Sequence, residues 1–268
     1  MNVSIVKDSI SEAGVRITTF HLRYWRAIHS ELMTHRVFSR NARSSRAVPV
    51  ATLLSEDKFI PQFGLNKPGM QSTETPSPEL QAKWEKEWNE LSDITREYVK
   101  AWGEEGMHKQ HANRPLEWFG WIDVLVTSTY WDNFYGLRID SYAQPEFEEL
   151  ATLMRAEQKG SHPQLLKPGQ WHLPYITEDD FNLYQLEQLQ KLSTARCARL
   201  SYRPFDGQDS YEAEMSRYER LVVSQPVHAS PAEHQATPLT QGQEGNTGNF
   251  HGWVQYRKLL DDEAIMEN

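Results

Sequence analysis

The chain has 268 residues, with 28 Lys and Arg against 37 Asp and Glu, a formal net charge of −9, and a single cysteine. Its basic residues gather around single points and form no long stripe, which argues against a nucleic-acid surface, and one cysteine excludes an intrachain disulfide and a cysteine-rich zinc site. No run approaches the ~20 apolar residues of a membrane span, and Met1 to Ser9 lacks the basic and apolar regions of a signal peptide, so a cytoplasmic chain with no membrane partner is expected.

Val3 and Ile5, then Val15, Ile17, Thr19 and Phe20, flank the turn-prone Ser11-Glu12-Ala13-Gly14 and predict a hairpin over Asn2 to Tyr24. Trp25, Ile28, Leu32 and Met33 recur at helical spacing and lead into Thr34–Arg46, T-H-R-V-F-S-R-N-A-R-S-S-R. Arg36, Arg40, Arg43 and Arg46 in an acidic chain suggest an anion site, because a guanidinium forks onto phosphate or carboxylate oxygens with two parallel bonds. The interleaved Ser and Asn are short neutral donors and suit a nucleotide. The alternative is a helix end whose arginines offset the C-terminal dipole.

Pro61, Gly64, Pro68, Gly69 and Pro76 make 59–76 a loop, and Ser77 with Pro78 opens a long helix. Its stripe of Leu80, Trp84, Trp88, Leu91, Ile94, Val99 and Trp102 is core or subunit interface. The aromatic and β-branched run Leu116 to Leu137 reads as one helix, or two broken at Thr127-Ser128-Thr129. Phe147, Leu150, Leu153 and Met154 continue as a helix, and 160–174 is a loop. Thr177 with Asp180 caps the next helix, with stripe Phe181, Tyr184, Leu189 and Leu192, and another spans Ser210 to Val223. The polar, glycine-rich 235–249 reads as a mobile loop. The ten histidines are scattered, with no H-E-x-x-H, so no metal is expected. Cys197, in Thr-Ala-Arg-Cys-Ala-Arg, reads as a packing residue. The expected fold is α+β: a helix-rich single domain over residues 1–268 with a small antiparallel sheet.

The stretch Thr34–Arg46 resembles the signature of flavin-dependent thymidylate synthases, R-H-R-x-x-S-x-N-E-x-S-x-R. His35, Arg36, Ser39, Asn41, Ser44 and Arg46 match in register, with the aliphatic Val37, while the family's first Arg is Thr34 and its Glu is Ala42. Trp131 to Glu146 resembles N-F-x-x-L-R-x-D-x-H-A-Q-x-E, with Asn133, Arg138, Asp140, Gln144 and Glu146 in place and Tyr142 where His is usual. Arg138 stands in an otherwise apolar run, where a charge without a partner is costly. Ala198-Arg199-Leu200-Ser201-Tyr202 and His228-Ala229-Ser230-Pro231-Ala232-Glu233-His234 are similar to family segments that normally precede the arginine motif, so the motif order reads as a circular permutation, which is tolerable when native termini lie close together. Gln255 and Arg257 either replace a Gln-x-x-Arg pair whose places here hold Glu31 and Thr34, or belong to an ordinary polar C-terminal helix.

The resemblance implies C5 methylation of dUMP in a homotetramer, with FAD as cofactor and NADPH and methylenetetrahydrofolate as co-substrates. It implies a catalytic Arg138, and a nucleotide, a pyrimidine deoxynucleoside monophosphate, held by Ser44, Ser45 and Arg46, by Arg114 or the nearby Lys109, and by Gln255 and Arg257. His35, Arg36, Asn41, Asn133, Ser230 and Glu233 match flavin-contacting positions. With Ala42 for Glu, dCMP as substrate and a hydroxymethyl product stay open, as does a nucleotide-binding homologue without turnover.

Overall fold

The computed structural model describes residues 1–69, 72, 74–200, 210–224 and 226–260. The expected hairpin is present: β1 (Asn2–Ser11) and β2 (Arg16–Trp25) pair antiparallel around a turn that Gly14 closes at φ 79°. Alternation along β2 sends Phe20, Leu22 and Tyr24 to one face and Thr19, His21 and Arg23 to the other.

Trp121–Ser128, expected to be helical, is instead strand β4, paired with β2 through Phe20↔Val126, Leu22↔Val124 and Tyr24↔Ile122. Most of it is buried, so its apolar run lacks the alternation that marks a half-exposed strand, and such a run cannot be told from a buried helix by period. β3 (Ser39–Ala42) flanks β4, and β5 (Gln164–Leu166) runs parallel to β1, giving the order β3-β4-β2-β1-β5. β5 thus interrupts the loop expected at 160–174. A second sheet pairs β6 (Ala236–Pro238) with β7 (Trp253–Gln255). All of β6 is buried, so the mobile loop expected at 235–249 begins as structure, because backbone pairing overrides its polar composition.

Among the helices, α1 (His29–Leu32) is a single turn before β3, and α2 (Val50–Ser55) follows β3. α3 (Pro78–Glu104) starts where expected: the Ser77 side chain accepts from the Leu80 N–H at 3.3 Å, with Pro78 in the first turn. Its inner face buries Ser92 and Val99, and the Trp88 indole donates to the Phe59 carbonyl at 2.8 Å. Leu91, Ile94 and Tyr98 on another face are more than half exposed. α4 (Lys109–Ala112), α5 (Asp132–Arg138) and α6 (Pro145–Gly160) follow. Phe134 of α5 and Phe147, Leu150 and Met154 of α6 close over the apolar sheet face and form the main core.

The helix expected after Thr177 divides into α7 (Glu178–Leu183), with Thr177 and Asp180 as a reciprocal capping box, and α8 (Leu186–Ala198). α9 (Tyr211–Tyr218) comes last. On the polar sheet face, a buried hydrogen-bond chain runs from Ser9 Oγ to His172 Nδ1 (2.9 Å), His172 Nε2 to Thr19 Oγ1 (2.8 Å), Thr19 to Thr127 (2.7 Å) and Thr127 to His234 Nδ1 (2.8 Å). Burial keeps both imidazoles neutral, pushing His234 down to about 3 and His172 well below the usual histidine range. No described helix is long and apolar enough to cross a membrane.

Candidate active site

Phe134 and Tyr135 anchor α5 in the core, so Arg138 emerges from its last turn toward α1. Its Nε donates to His35 Nε2 at 3.0 Å, one terminal nitrogen to Glu31 Oε2 at 2.9 Å and the other to Thr34 Oγ1 at 3.4 Å. The guanidinium also stands 4.5 Å from the Phe147 ring centroid. The charge that the sequence left without a partner has Glu31, one of the two positions where the family pair is missing. His35 must be neutral to accept from Arg138, and it is: burial first, then the charges of Arg138 and Arg40, push it down to about 4. Arg40 donates to the Leu32, Met33 and His35 carbonyls, tying off the end of α1.

Met33, Val37, Tyr130, Leu137 and Tyr142 are all exposed, and all fall in or beside the two motif segments. Single exposed apolar residues are ordinary, and it is their grouping along the two motif segments that makes these segments a candidate for ligand contact. Asn133 and Arg36 are exposed beside them.

The other end of β3 carries a second cluster. Ser45 is buried and donates to Glu117 Oε1 at 2.5 Å, which also receives Arg114 at 2.9 Å, while Arg26 lies 3.1 Å from Glu117 Oε2. Asn113 holds the Ser45 and Val48 carbonyls at 2.8 and 2.9 Å, and Lys109 the Ala47 carbonyl at 3.0 Å. Arg43 bridges Asp123 and Glu56. Of the four motif arginines, Arg40 and Arg43 therefore serve the fold, and Arg36 and Arg46 are exposed without an ion pair among the described residues. Sequence spacing gave no means of separating the two pairs. Ser44 lies beside Arg46, partly buried.

Segments from the C-terminal half pack on β3. Asn41 donates to the Cys197 carbonyl at 2.7 Å, and Ser39 to Asn249 at 3.0 Å. Of the two readings of the C-terminal pair, the helix holds only for Arg257, in the 3-10 helix Tyr256–Leu259, while Gln255 lies before it in strand β7. Only 2% exposed, it donates toward Ser39 Oγ (3.1 Å), the Glu233 carbonyl (3.1 Å) and Asn249 (2.9 Å). Gly248, at φ 59°, is needed here: a Cβ would stand 2.2 Å from Gln255 Oε1. Arg257 is ion-paired with Glu233, in the turn Ser230–Glu233 where Ser230 is exposed. Gln255 and Arg257 thus clasp the turn to β3. Ala198 to Leu200 end α8 beside it, while Ser201 and Tyr202 lie outside the described residues. Cys197 is fully buried, and burial pushes its thiol well above the usual range, as suits a packing residue and no nucleophile.

Sequence reading missed Glu31, Glu117 and Asn249. Glu31 alone left a signal, three and four residues before Thr34 and His35, where helix neighbours meet.

Residues 15–164 match the model of the family described as thymidylate synthase complementing protein. A comparison with curated proteins finds no match. Among solved structures the chain is similar to a UMP/dUMP methylase PolB from Streptomyces cacaoi bound with 5-Br UMP, at 18% identity and a TM-score of 0.48, covering 59% of this chain and 87% of that one.

Proposed function

The chain belongs to the family of thymidylate synthase complementing proteins, and on that premise we propose that it methylates C5 of dUMP, using methylenetetrahydrofolate as carbon donor, FAD as cofactor and NADPH as reductant. The observation that carries this reading is Arg138, a planar cation fixed on three sides by Glu31, His35 and Thr34 beside exposed apolar surface. A pyrimidine ring set against it meets a preorganised charge that stabilises the anionic form of the ring carbonyl and N3, raising electron density at C5 without an enzymic nucleophile. Buried Cys197 is consistent with that chemistry.

The exposed apolar residues of the two motif segments, with Asn133, His35, Arg36 and the exposed Ser230, are assigned to a flat ring system with polar rims, as a flavin has. When bound, the flavin supplies the hydride. His35, uncharged, can present a hydrogen-bonding edge to it without repelling Arg138. Asn41, bonded to the Cys197 carbonyl, and Glu233, paired with Arg257, are assigned to the support of the cofactor-binding segments. Arg46 and Ser44 are assigned to the nucleotide phosphate, with Arg114 nearby. His35 and Arg36 precede β3 while Ser44 and Arg46 follow it, so a complete pocket assembled between subunits of a homotetramer is part of the proposal. The exposed stripe Leu91, Ile94 and Tyr98 supports self-association.

A second reading, C5 methylation or hydroxymethylation of a cytosine nucleotide, is favoured by Glu31, because a carboxylate beside the base-facing arginine can accept from an exocyclic amine. The test is to incubate the protein with FAD, NADPH, methylenetetrahydrofolate and either dUMP or dCMP and to weigh the product. A methyl product from dUMP supports the first reading. Turnover of dCMP alone establishes the second, and a colourless protein that takes up no FAD and turns over neither nucleotide removes both.

A further inference from the structure

Away from Arg138, the polar sheet face opens into a cleft of about 970 Å³ lined by Arg23, Arg43, Arg196 and Arg199. Arg23 and Arg43 are held by Asp123 and Glu56 inside the cleft. Arg196 and Arg199 are fixed by Asp180 and the fully buried Glu214, neither of which lines it. The wall therefore presents four guanidinium groups against two carboxylates.

Tyr175 stands in this wall with φ 62°, the only described residue other than glycine with positive φ. For a tyrosine that conformation is strained and persists only where its surroundings enforce it. Arg196 enforces it by donating to the Tyr175 carbonyl at 2.7 Å, while both Asp180 oxygens, at 2.5 and 3.0 Å, lock the guanidinium. The phenol is thereby aimed at His21 Nδ1, 3.2 Å away, and His21 Nε2 lies 3.4 Å from Asp123 Oδ1. Asp123 is ionised: burial raises its carboxyl, but the His21 hydrogen bond and the charges of Arg23 and Arg43 outweigh that and bring it to about 2. His21 thus donates through Nε2 and accepts from the Tyr175 hydroxyl through Nδ1. A hydroxyl, a base within reach and a third group orienting the base is the arrangement of a proton-transfer site.

We propose that this cleft is a second ligand site, for a small molecule bearing a phosphate or carboxylate, in which Tyr175, His21 and Asp123 form a proton relay. The arginines take the oxyanion. A proton leaving a ligand hydroxyl goes to the Tyr175 oxygen as the tyrosine's own proton passes to His21 Nδ1, and the imidazolium so formed is stabilised by Asp123. The network spans strands β2 and β4 and the loop before α7, and shares no residue with the Arg138 network.

The experiment uses the full chain with isotope-labelled histidine, the His21 signals being identified by their loss in His21→Asn. Inorganic phosphate in one arm and succinate in another should shift the His21 ring signals saturably, and the arm that responds assigns the head group. Arg199→Gln should weaken the effective anion about tenfold or more, the loss of a charged hydrogen bond, and Arg46→Gln should not. Because Arg199 also pairs with buried Glu214, Ser4→Glu is the companion variant: exposed Ser4 lines the cleft, so a carboxylate there opposes the anion without breaking a buried pair. Tyr175→Phe should move the His21 Nδ1 resonance in the absence of anion. If neither anion moves His21, or if both Arg199→Gln and Ser4→Glu, correctly folded, bind as tightly as the parent, the site does not exist. A His21 Nδ1 signal indifferent to Tyr175→Phe removes the relay.

Discussion

Arg138→Lys isolates geometry from charge. In the native chain one planar group reaches Glu31 at 2.9 Å and His35 at 3.0 Å while stacked 4.5 Å from the Phe147 ring centroid. An ammonium on a flexible stem keeps the charge, yet it cannot hold both partners and face a pyrimidine in a fixed plane. Removing one preorganised donor from a developing anion typically costs about 10²–10³ in kcat, and that is the loss expected here, with flavin still bound because none of the residues assigned to it is substituted. The structural cost is small: the Arg138 and Glu31 side chains are 19% and 34% exposed, so water recovers part of the lost pair. A destabilisation of roughly 1 kcal/mol would lower Tm by about 2–4 °C in a chain of this size. Turnover of dUMP followed by product mass, beside a thermal melt, reads both quantities. A folded, flavin-loaded variant with undiminished kcat would show that Arg138 only ties α5 to α1.

Arg46→Ala should weaken dUMP binding by about 1.5–3 kcal/mol, roughly ten- to a hundredfold, by calorimetric titration, and an unchanged affinity would remove it from the nucleotide site. Stability should fall on acidification: His172 and His234 have folded values below the unfolded 6.5, so below that pH the unfolded chain binds more protons. The loss begins near neutrality and continues toward about 3, whereas the stabilisation from Asp123 fades only as pH drops through about 2. A urea midpoint no lower at about pH 5 than at about pH 7.5 would contradict this account. Leu91→Glu with Ile94→Glu, both exposed, should leave the fold intact and reduce the particle mass measured by light scattering; an unaltered mass would exclude the α3 stripe from any subunit contact.

The sequence by itself determined what depends on near neighbours. Ser77 with Pro78, and Thr177 with Asp180, mark helix starts because a cap is satisfied within four residues, and the β1–β2 hairpin follows from alternation on both sides of one turn. The spacing of His35, Arg36, Ser39, Asn41, Ser44 and Arg46, and of Asn133 to Arg138, is likewise local, and it gave the family. Tertiary structure decided the rest. Trp121–Ser128 is a strand because β2 and β3 pair with its two edges, a fact that no window of eight residues contains. Which motif arginines face solvent was settled by Glu56, Asp123 and the carbonyls of α1. Gln255 became a clasp because folding brings it against Ser39, 216 positions away. The Tyr175–His21 contact, across 154 positions, likewise left no trace in composition or spacing. A charge or polar group takes its role from the partner that satisfies it when buried, and in this chain those partners are mostly remote in sequence.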